Sequence, residues 1–90
     1  MSRQGHEMSA LEEMVTGMLT QVDADPSMVI DRAWCQGVVE LLLAMDPALA
    51  FPLLRRARQV LQRHAHNHGC AAPTVFHECY EAHLATLAVR

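Results

Sequence analysis

The sequence has no long hydrophobic run and no lysine, and it has few cysteines, glycines and aromatic residues. Its longest purely apolar run, residues 41–45, is far shorter than the ~20 residues of a membrane-spanning helix, so we expect no membrane association. Residues 1–7 are polar and do not have the pattern of a secretory signal. Three cysteines are an odd number and too few for a disulfide scaffold. We therefore expect a cytoplasmic protein.

The charges are distributed unevenly along the chain. All seven basic residues are arginines, against ten aspartate and glutamate residues, which gives a net charge of −3. Residues 1–50 hold eight of the acids and two arginines, whereas residues 51–90 hold five arginines and two glutamates. A nucleic-acid-binding domain normally shows a surplus of lysine and arginine on one face, so we expect no nucleic-acid partner. The charge asymmetry instead suits packing of the two halves on each other or on a second copy.

The length and the hydrophobic content favour one small folded domain. Ninety residues, of which 51% are hydrophobic, can form a packed core. No segment has the alternating pattern of a half-buried strand, so we expect an all-α fold, a compact bundle of about four helices with short loops. Residues 1–8 are predicted to be a flexible N-terminus and residues 9–90 a single helical domain. A chain this short buries only about 60–65% of its unfolded surface, which favours stabilisation by a partner.

Polar caps and prolines delimit the first two predicted helices. Ser9, followed three residues later by Glu12, has the spacing of a capping box and predicts the start of the first helix. That helix ends before Asp25 and Pro26. The next apolar series predicts a helix that starts at Pro26, with Asp25 as its cap, and ends at Met45.

Two prolines decide the prediction for the third helix. Because a proline inside a helix costs about 3 kcal/mol or more, we expect a turn over residues 47–50 and a main helix from Pro52 to Gly69. Residues 70–73 are predicted to form the last loop, and Thr74 to cap a fourth helix that extends to about residue 88. The apolar face of the fourth helix is predicted to comprise Phe76, Cys79, Tyr80, His83, Leu84 and Leu87.

Histidines and cysteines are concentrated near the C-terminus. Imidazole and thiolate are preferred ligands of zinc and other transition metals. On a helix His64 and His68 share a face, whereas His66 points nearly opposite. The sequence contains no C-x-x-C pair and no H-E-x-x-H motif, and histidines in the last turn of a helix are also favoured by its dipole. We therefore expect no cofactor, with metal binding as the alternative hypothesis; its predicted ligands are His64, His68, Cys70, His77 and Cys79.

No arrangement of residues predicts catalysis. Cys79 and His83 have the i, i+4 spacing of a nucleophile and a base on one helical face, but Glu78 and Glu81 lie off that face and do not orient the histidine. The glycines are isolated, so no phosphate-binding loop is present. We expect the protein not to be an enzyme.

Methionines on the first helix suggest a surface for protein contacts. Flexible methionine side chains adapt to partners, and the predicted interface consists of Leu11, Met14 and Met18. The same residues could equally fill an ordinary core. The sequence thus predicts a small, non-enzymatic accessory or regulatory protein that acts through protein–protein contacts, with a homodimer or another protein as its partner. The alternative is a small metal-binding or metal-responsive protein.

One set of positions along the chain forms a recognisable pattern: Trp34, Pro52, Arg55, Arg58, Ala65, Gly69 and Thr74. This pattern resembles the small helical module at the end of light-independent protochlorophyllide reductase subunits. The resemblance covers less than half of the chain, implies a helical fold and carries no function over to this protein.

Overall fold

The first helix, α1, extends from Ala10 to Ala24 and begins with the predicted capping box. The Ser9 hydroxyl accepts a hydrogen bond from the Glu12 backbone N–H at 3.2 Å, and the Glu12 carboxylate accepts one from the Ser9 N–H at 3.0 Å. The computed structural model describes residues 9–25 and 27–89, apart from the side chains of His68 and Val89. The predicted flexible segment 1–8 lies outside the described residues.

The second helix, α2, extends from Arg32 to Ala44, so the predicted start at residue 26 is wrong. Asp25 forms a local turn instead, in which its carboxylate accepts hydrogen bonds from the Ser27 backbone N–H at 3.2 Å and the Ser27 hydroxyl at 2.7 Å. Asp31 is the cap of α2, because its carboxylate accepts a hydrogen bond from the Trp34 N–H at 2.9 Å. A local turn thus competes successfully with helix capping at Asp25.

The third helix, α3, is continuous from Pro47 to His68, so the predicted turn over residues 47–50 is wrong. The Asp46 carboxylate caps α3 by accepting a hydrogen bond from the Ala48 N–H at 2.9 Å. Pro52 is exposed, so its ring faces solvent. Because proline has no backbone N–H, the carbonyl four residues earlier receives no helical hydrogen bond, and water can hydrate that carbonyl instead. Gly69 ends α3 with φ 63° and ψ 36°, in the left-handed conformation that glycine adopts without strain.

The fourth helix, α4, extends from Ala72 to Val89 and starts two residues before the predicted cap at Thr74. Pro73 lies in its first turn, where the missing N–H of proline breaks no helical hydrogen bond. Thr74 therefore lies inside α4 and is not its cap.

The four helices pack as the predicted all-α bundle with short loops. The most extensive contacts join α2 to α4 and α1 to α3. Ion pairs of 3.3 Å to Arg63 and 4.0 Å to Arg56 link Asp23, near the end of α1, to α3. No helix in the described part of the chain is long and apolar enough to cross a membrane. The buried apolar core consists of Val15, Leu19, Val22, Cys35, Val38, Val39, Leu42, Met45, Ala50, Ala57, Val60, Leu61, Ala72, Phe76 and Cys79.

Candidate functional site

An apolar groove of about 200 Å³ lies where the end of α2, the start of α3 and the middle of α4 meet. The Asp46 cap turns the chain sharply from α2 into α3, which brings the last turn of one helix beside the first turns of the next. The Tyr80 hydroxyl is the one polar side-chain group among the lining residues. The groove is lined by Leu42, Leu43, Met45, Pro47, Ala50, Phe51, Leu54 and Tyr80.

Phe51 is an exposed aromatic side chain that lines this groove. Its exposed fraction is 62%, whereas its neighbour Ala50 is buried in the core. Phe51 lies away from the buried face of α3, so the bundle itself does not cover its ring. Arg58 supplies a charge at the edge of the groove, with its guanidinium 5.9 Å from the centre of the Tyr80 ring. An exposed aromatic ring, Phe51, therefore lies beside the apolar groove, and the positively charged Arg58 lies near the edge of the groove.

The C-terminal turns of α4 continue the apolar surface beyond the groove. Leu84 and Leu87 follow Tyr80 by four and seven residues, so all three lie on one face of α4. Both leucines remain partly uncovered, with exposed fractions of 36% and 38%. The sequence contains no Asp, Glu, Lys or Arg between Glu81 and residue 90. We refer to the groove, Phe51 and this end of α4 together as the apolar surface.

The predicted metal ligands do not converge among the described side chains. His64 is buried on α3, whereas Cys70 is exposed in the loop that follows. His77 is exposed beside a cavity next to α3, and Cys79 faces α2 instead. No group of three or more His, Cys, Asp or Glu side chains within the described part could hold a metal ion. The side chain of His68 lies outside that part, so the complete ligand set stays a prediction.

Cys79 and His83 border a second cavity, of about 130 Å³, between α2 and α4. The Arg32 guanidinium donates a hydrogen bond to the Glu78 carboxylate at 2.9 Å and lies 3.7 Å from the Cys79 sulfur. The hydrogen bond to Glu78, followed by the charge of a Cys79 thiolate, raises the pKa of Arg32, which stays a cation. No carboxylate lines this cavity. The arrangement therefore ties α2 to α4 and provides no acid to orient His83.

The predicted α1 interface is only partly available to a partner. Met14 is 53% exposed, but Leu11 and Met18 are half-buried and pack against the core. Two of the three predicted contact residues thus already have neighbours within the bundle. Their role in an interface stays a prediction.

Cys35 gives the fold a specific dependence on alkaline pH. Its thiol is fully buried, with the sulfur 4.0 Å from the Ala72 carbonyl oxygen. Burial, and to a lesser extent the negative charge of a Cys79 thiolate, raise the pKa of Cys35 from 9.0 to about 11. Between these values the folded chain keeps a proton that the unfolded chain loses. The stabilisation is therefore complete below about pH 9 and is lost as the pH rises through about 11.

We expect the free energy of unfolding to decrease less between pH 8 and pH 10.5 in Cys35→Ala than in the native chain. The substitution removes the buried titrating group, at the cost of a small cavity that lowers stability at both pH values equally. Urea titrations at the two pH values give the free energy of unfolding of the native chain and of the variant, and hence the pH slope of each. Identical pH slopes would mean that Cys35 titrates normally in the folded protein.

Sequence reasoning missed the exposure of Phe51, Leu84 and Leu87. A signal for Phe51 was present, because a helix starting at Pro47 places this phenylalanine outside the apolar stripe of α3. The leucines carried no such signal, since both belong to the apolar stripe of α4. Whether that stripe is covered depends on how far the other helices extend alongside it.

Comparisons with known proteins assign no family to the chain. No family model, no curated protein and no solved structure matched the chain.

Proposed function

We propose that this protein is a small, non-enzymatic accessory or regulatory protein that acts through protein–protein contacts and associates with itself. The proposal rests on the exposure of Phe51, whose side chain is 62% exposed beside an apolar groove of about 200 Å³. Aromatic side chains are enriched in the cores of protein interfaces, where they fill pockets on the partner.

The end of α4 supports the same proposal. A helix that is apolar on all sides is normally buried, because exposed apolar area costs about 25 cal/mol per Å². Residues 82–88 include five alanines or leucines that are exposed to solvent, together with the exposed Thr86 and the half-buried His83. A protein partner laid along this helix would remove them from water.

The chemistry of the cysteines favours action in a reducing compartment such as the cytoplasm. Cys35, Cys70 and Cys79 are all unpaired, and Cys70 is exposed. An exposed thiol would be at risk of forming mixed disulfides in an oxidising compartment.

We expect Phe51→Glu to weaken self-association by about 30-fold or more in Kd. Loss of a central aromatic contact costs about 2 kcal/mol or more, and a carboxylate at the same place must also lose its hydration. Sedimentation velocity of the native chain and the variant, over a concentration series up to tens of micromolar, measures the change. Because Phe51 lies outside the core, the helical circular dichroism signal should be unchanged.

The matched control is Val29→Glu. Val29 is 82% exposed in the loop between α1 and α2 and does not line the groove. Its substitution adds the same charge and should leave association unchanged. A native chain that sediments as a monomer at tens of micromolar would contradict self-association. Equal weakening by both substitutions would contradict the role of the groove.

A further inference from the structure

We infer that the cavity between α3 and α4 binds a small organic carboxylate, whose charged group contacts Arg58 and whose apolar body packs on Phe76. The cavity has a volume of about 170 Å³ and shares no lining residue with the apolar groove. The inference therefore goes beyond the proposed function, which uses the other surface. The cavity is lined by Arg58, Leu61, Gln62, Pro73, Phe76 and His77.

The three polar side chains that line this cavity can all donate hydrogen bonds. Arg58 has a permanent positive charge and five N–H donors, Gln62 has an amide NH₂ group, and His77 has a ring N–H. Arg58 and Gln62 lie four residues apart on one face of α3, and His77 lines the same cavity from α4. None of these described lining residues is an acid. Donors from two helices around one cavity match the acceptor oxygens of a carboxylate.

Arg58 is available to an anionic ligand. Its guanidinium lies 5.9 Å from the centre of the Tyr80 ring, and it forms no ion pair with an acid in the described part of the chain. The planar guanidinium group beside an aromatic ring is partly oriented before a ligand arrives, so less side-chain freedom is lost on binding. A carboxylate can therefore supply the counter-charge that the bundle itself does not.

The acids nearest to the cavity leave its charge positive. Helix α3 contains no acid, and α4 contains two, Glu78 and Glu81. Glu78 pairs with Arg32 on α2 at 2.9 Å, and Glu81 does not line the cavity. The charge of Glu81, one turn beyond His77, is offset by that of Arg55, one turn before Arg58. The charge of Arg58 therefore remains uncompensated.

The floor of the cavity favours an organic anion over an inorganic one. Phe76 is 2% exposed and Leu61 is fully buried, so the cavity ends on the apolar core. A compact hydrocarbon or aromatic group would displace water from this floor, whereas phosphate or acetate would not cover it. The volume is below the roughly 300–1,000 Å³ of pockets for drug-sized ligands, which limits the ligand to about the size of benzoate.

A titration of the isotopically labelled full chain, followed by its backbone amide NMR shifts, tests this site. The probes are benzoate, its neutral analogue benzamide, and acetate, which has the charge without the ring. We expect benzoate to bind saturably with a Kd on the order of 1 mM and to shift the amides of Leu61, Phe76 and His77. Benzamide and acetate should each bind about tenfold more weakly, because each lacks one of the two contacts.

Arg58→Gln and Arg55→Gln form a matched pair of variants. Both remove one positive charge from an exposed position of α3, but only Arg58 lines the cavity. We expect Arg58→Gln to weaken benzoate binding about tenfold and Arg55→Gln by less than about twofold, since an exposed charge outside the cavity is screened by salt. Circular dichroism of both variants checks that the helices are intact.

Four results would overturn the inference. They are no saturable binding of benzoate up to tens of millimolar, equal binding of benzamide or acetate, equal weakening by the two variants, and amide shifts centred on the groove beside Phe51. Each of these results would leave the proposed function intact, because self-association is measured separately by sedimentation without any ligand.

Discussion

Replacing Phe76 by alanine is expected to lower the free energy of unfolding by about 3–5 kcal/mol. Phe76 is 2% exposed and is the largest fully buried side chain in the described core. The substitution removes the favourable free energy of transferring the ring from water into the core. It also leaves a cavity that the four helices can close only in part. Small domains are stable by only 5–15 kcal/mol in total, so this loss is a large fraction of the whole.

The matched control for this prediction is Phe51→Ala. The two residues are the only phenylalanines of the chain, and Phe51 is 62% exposed. We expect the control to change stability by less than about 1 kcal/mol, since surface substitutions have small effects. Urea denaturation followed by circular dichroism measures both, at a concentration low enough to avoid association. Similar losses from the two substitutions would show that α4 does not pack as described.

Replacing Pro52 by alanine is expected to stabilise the protein by about 1–3 kcal/mol. Pro52 lies inside α3, where it removes one backbone hydrogen bond and its ring crowds the preceding turn, at a cost of about 3 kcal/mol. Proline also restricts the unfolded chain, which offsets up to about 1 kcal/mol of that cost. For a chain of this length the gain corresponds to a rise in Tm of roughly 5–20 °C.

Pro47→Ala is the control for the helix-interior proline. Pro47 occupies the first position of α3, where no backbone N–H is needed, so its substitution should leave Tm nearly unchanged. Thermal unfolding of both variants by circular dichroism makes the comparison. Equal changes in Tm for the two variants would indicate that α3 is interrupted at Pro52, as the sequence pattern predicts.

The positions of the helices show how far local chemistry determines this fold. The capping box of Ser9 and Glu12 and the glycine at residue 69 were recognised from the sequence and lie where predicted, because both depend on neighbouring residues alone. The predicted starts of α2 and α4 were both misplaced. At α2 two aspartates, Asp25 and Asp31, competed for the cap, and the local turn that Asp25 forms with Ser27 decided the outcome. At α4 the helix begins at Ala72, two residues before the predicted cap, because Pro73 is compatible with a first helical turn.

The candidate site was less predictable than the fold. The sequence directed attention to Met14, Met18 and a cluster of histidines, all of which are chemically distinctive side chains. Met18 packs against the core, and the described histidines do not gather with other ligands. The apolar surface is built from ordinary phenylalanine and leucine residues, which carry no chemical signal of their own.

The sequence by itself determined that the chain forms four helices, where most of them end, and which residues share a helical face. These properties follow from hydrogen bonding and periodicity within a few residues. Only the tertiary structure decided that α3 continues through Pro52 and that Phe51, Leu84 and Leu87 remain exposed. The physical reason is that periodicity places a side chain on a face, whereas its burial depends on which distant helix reaches that face.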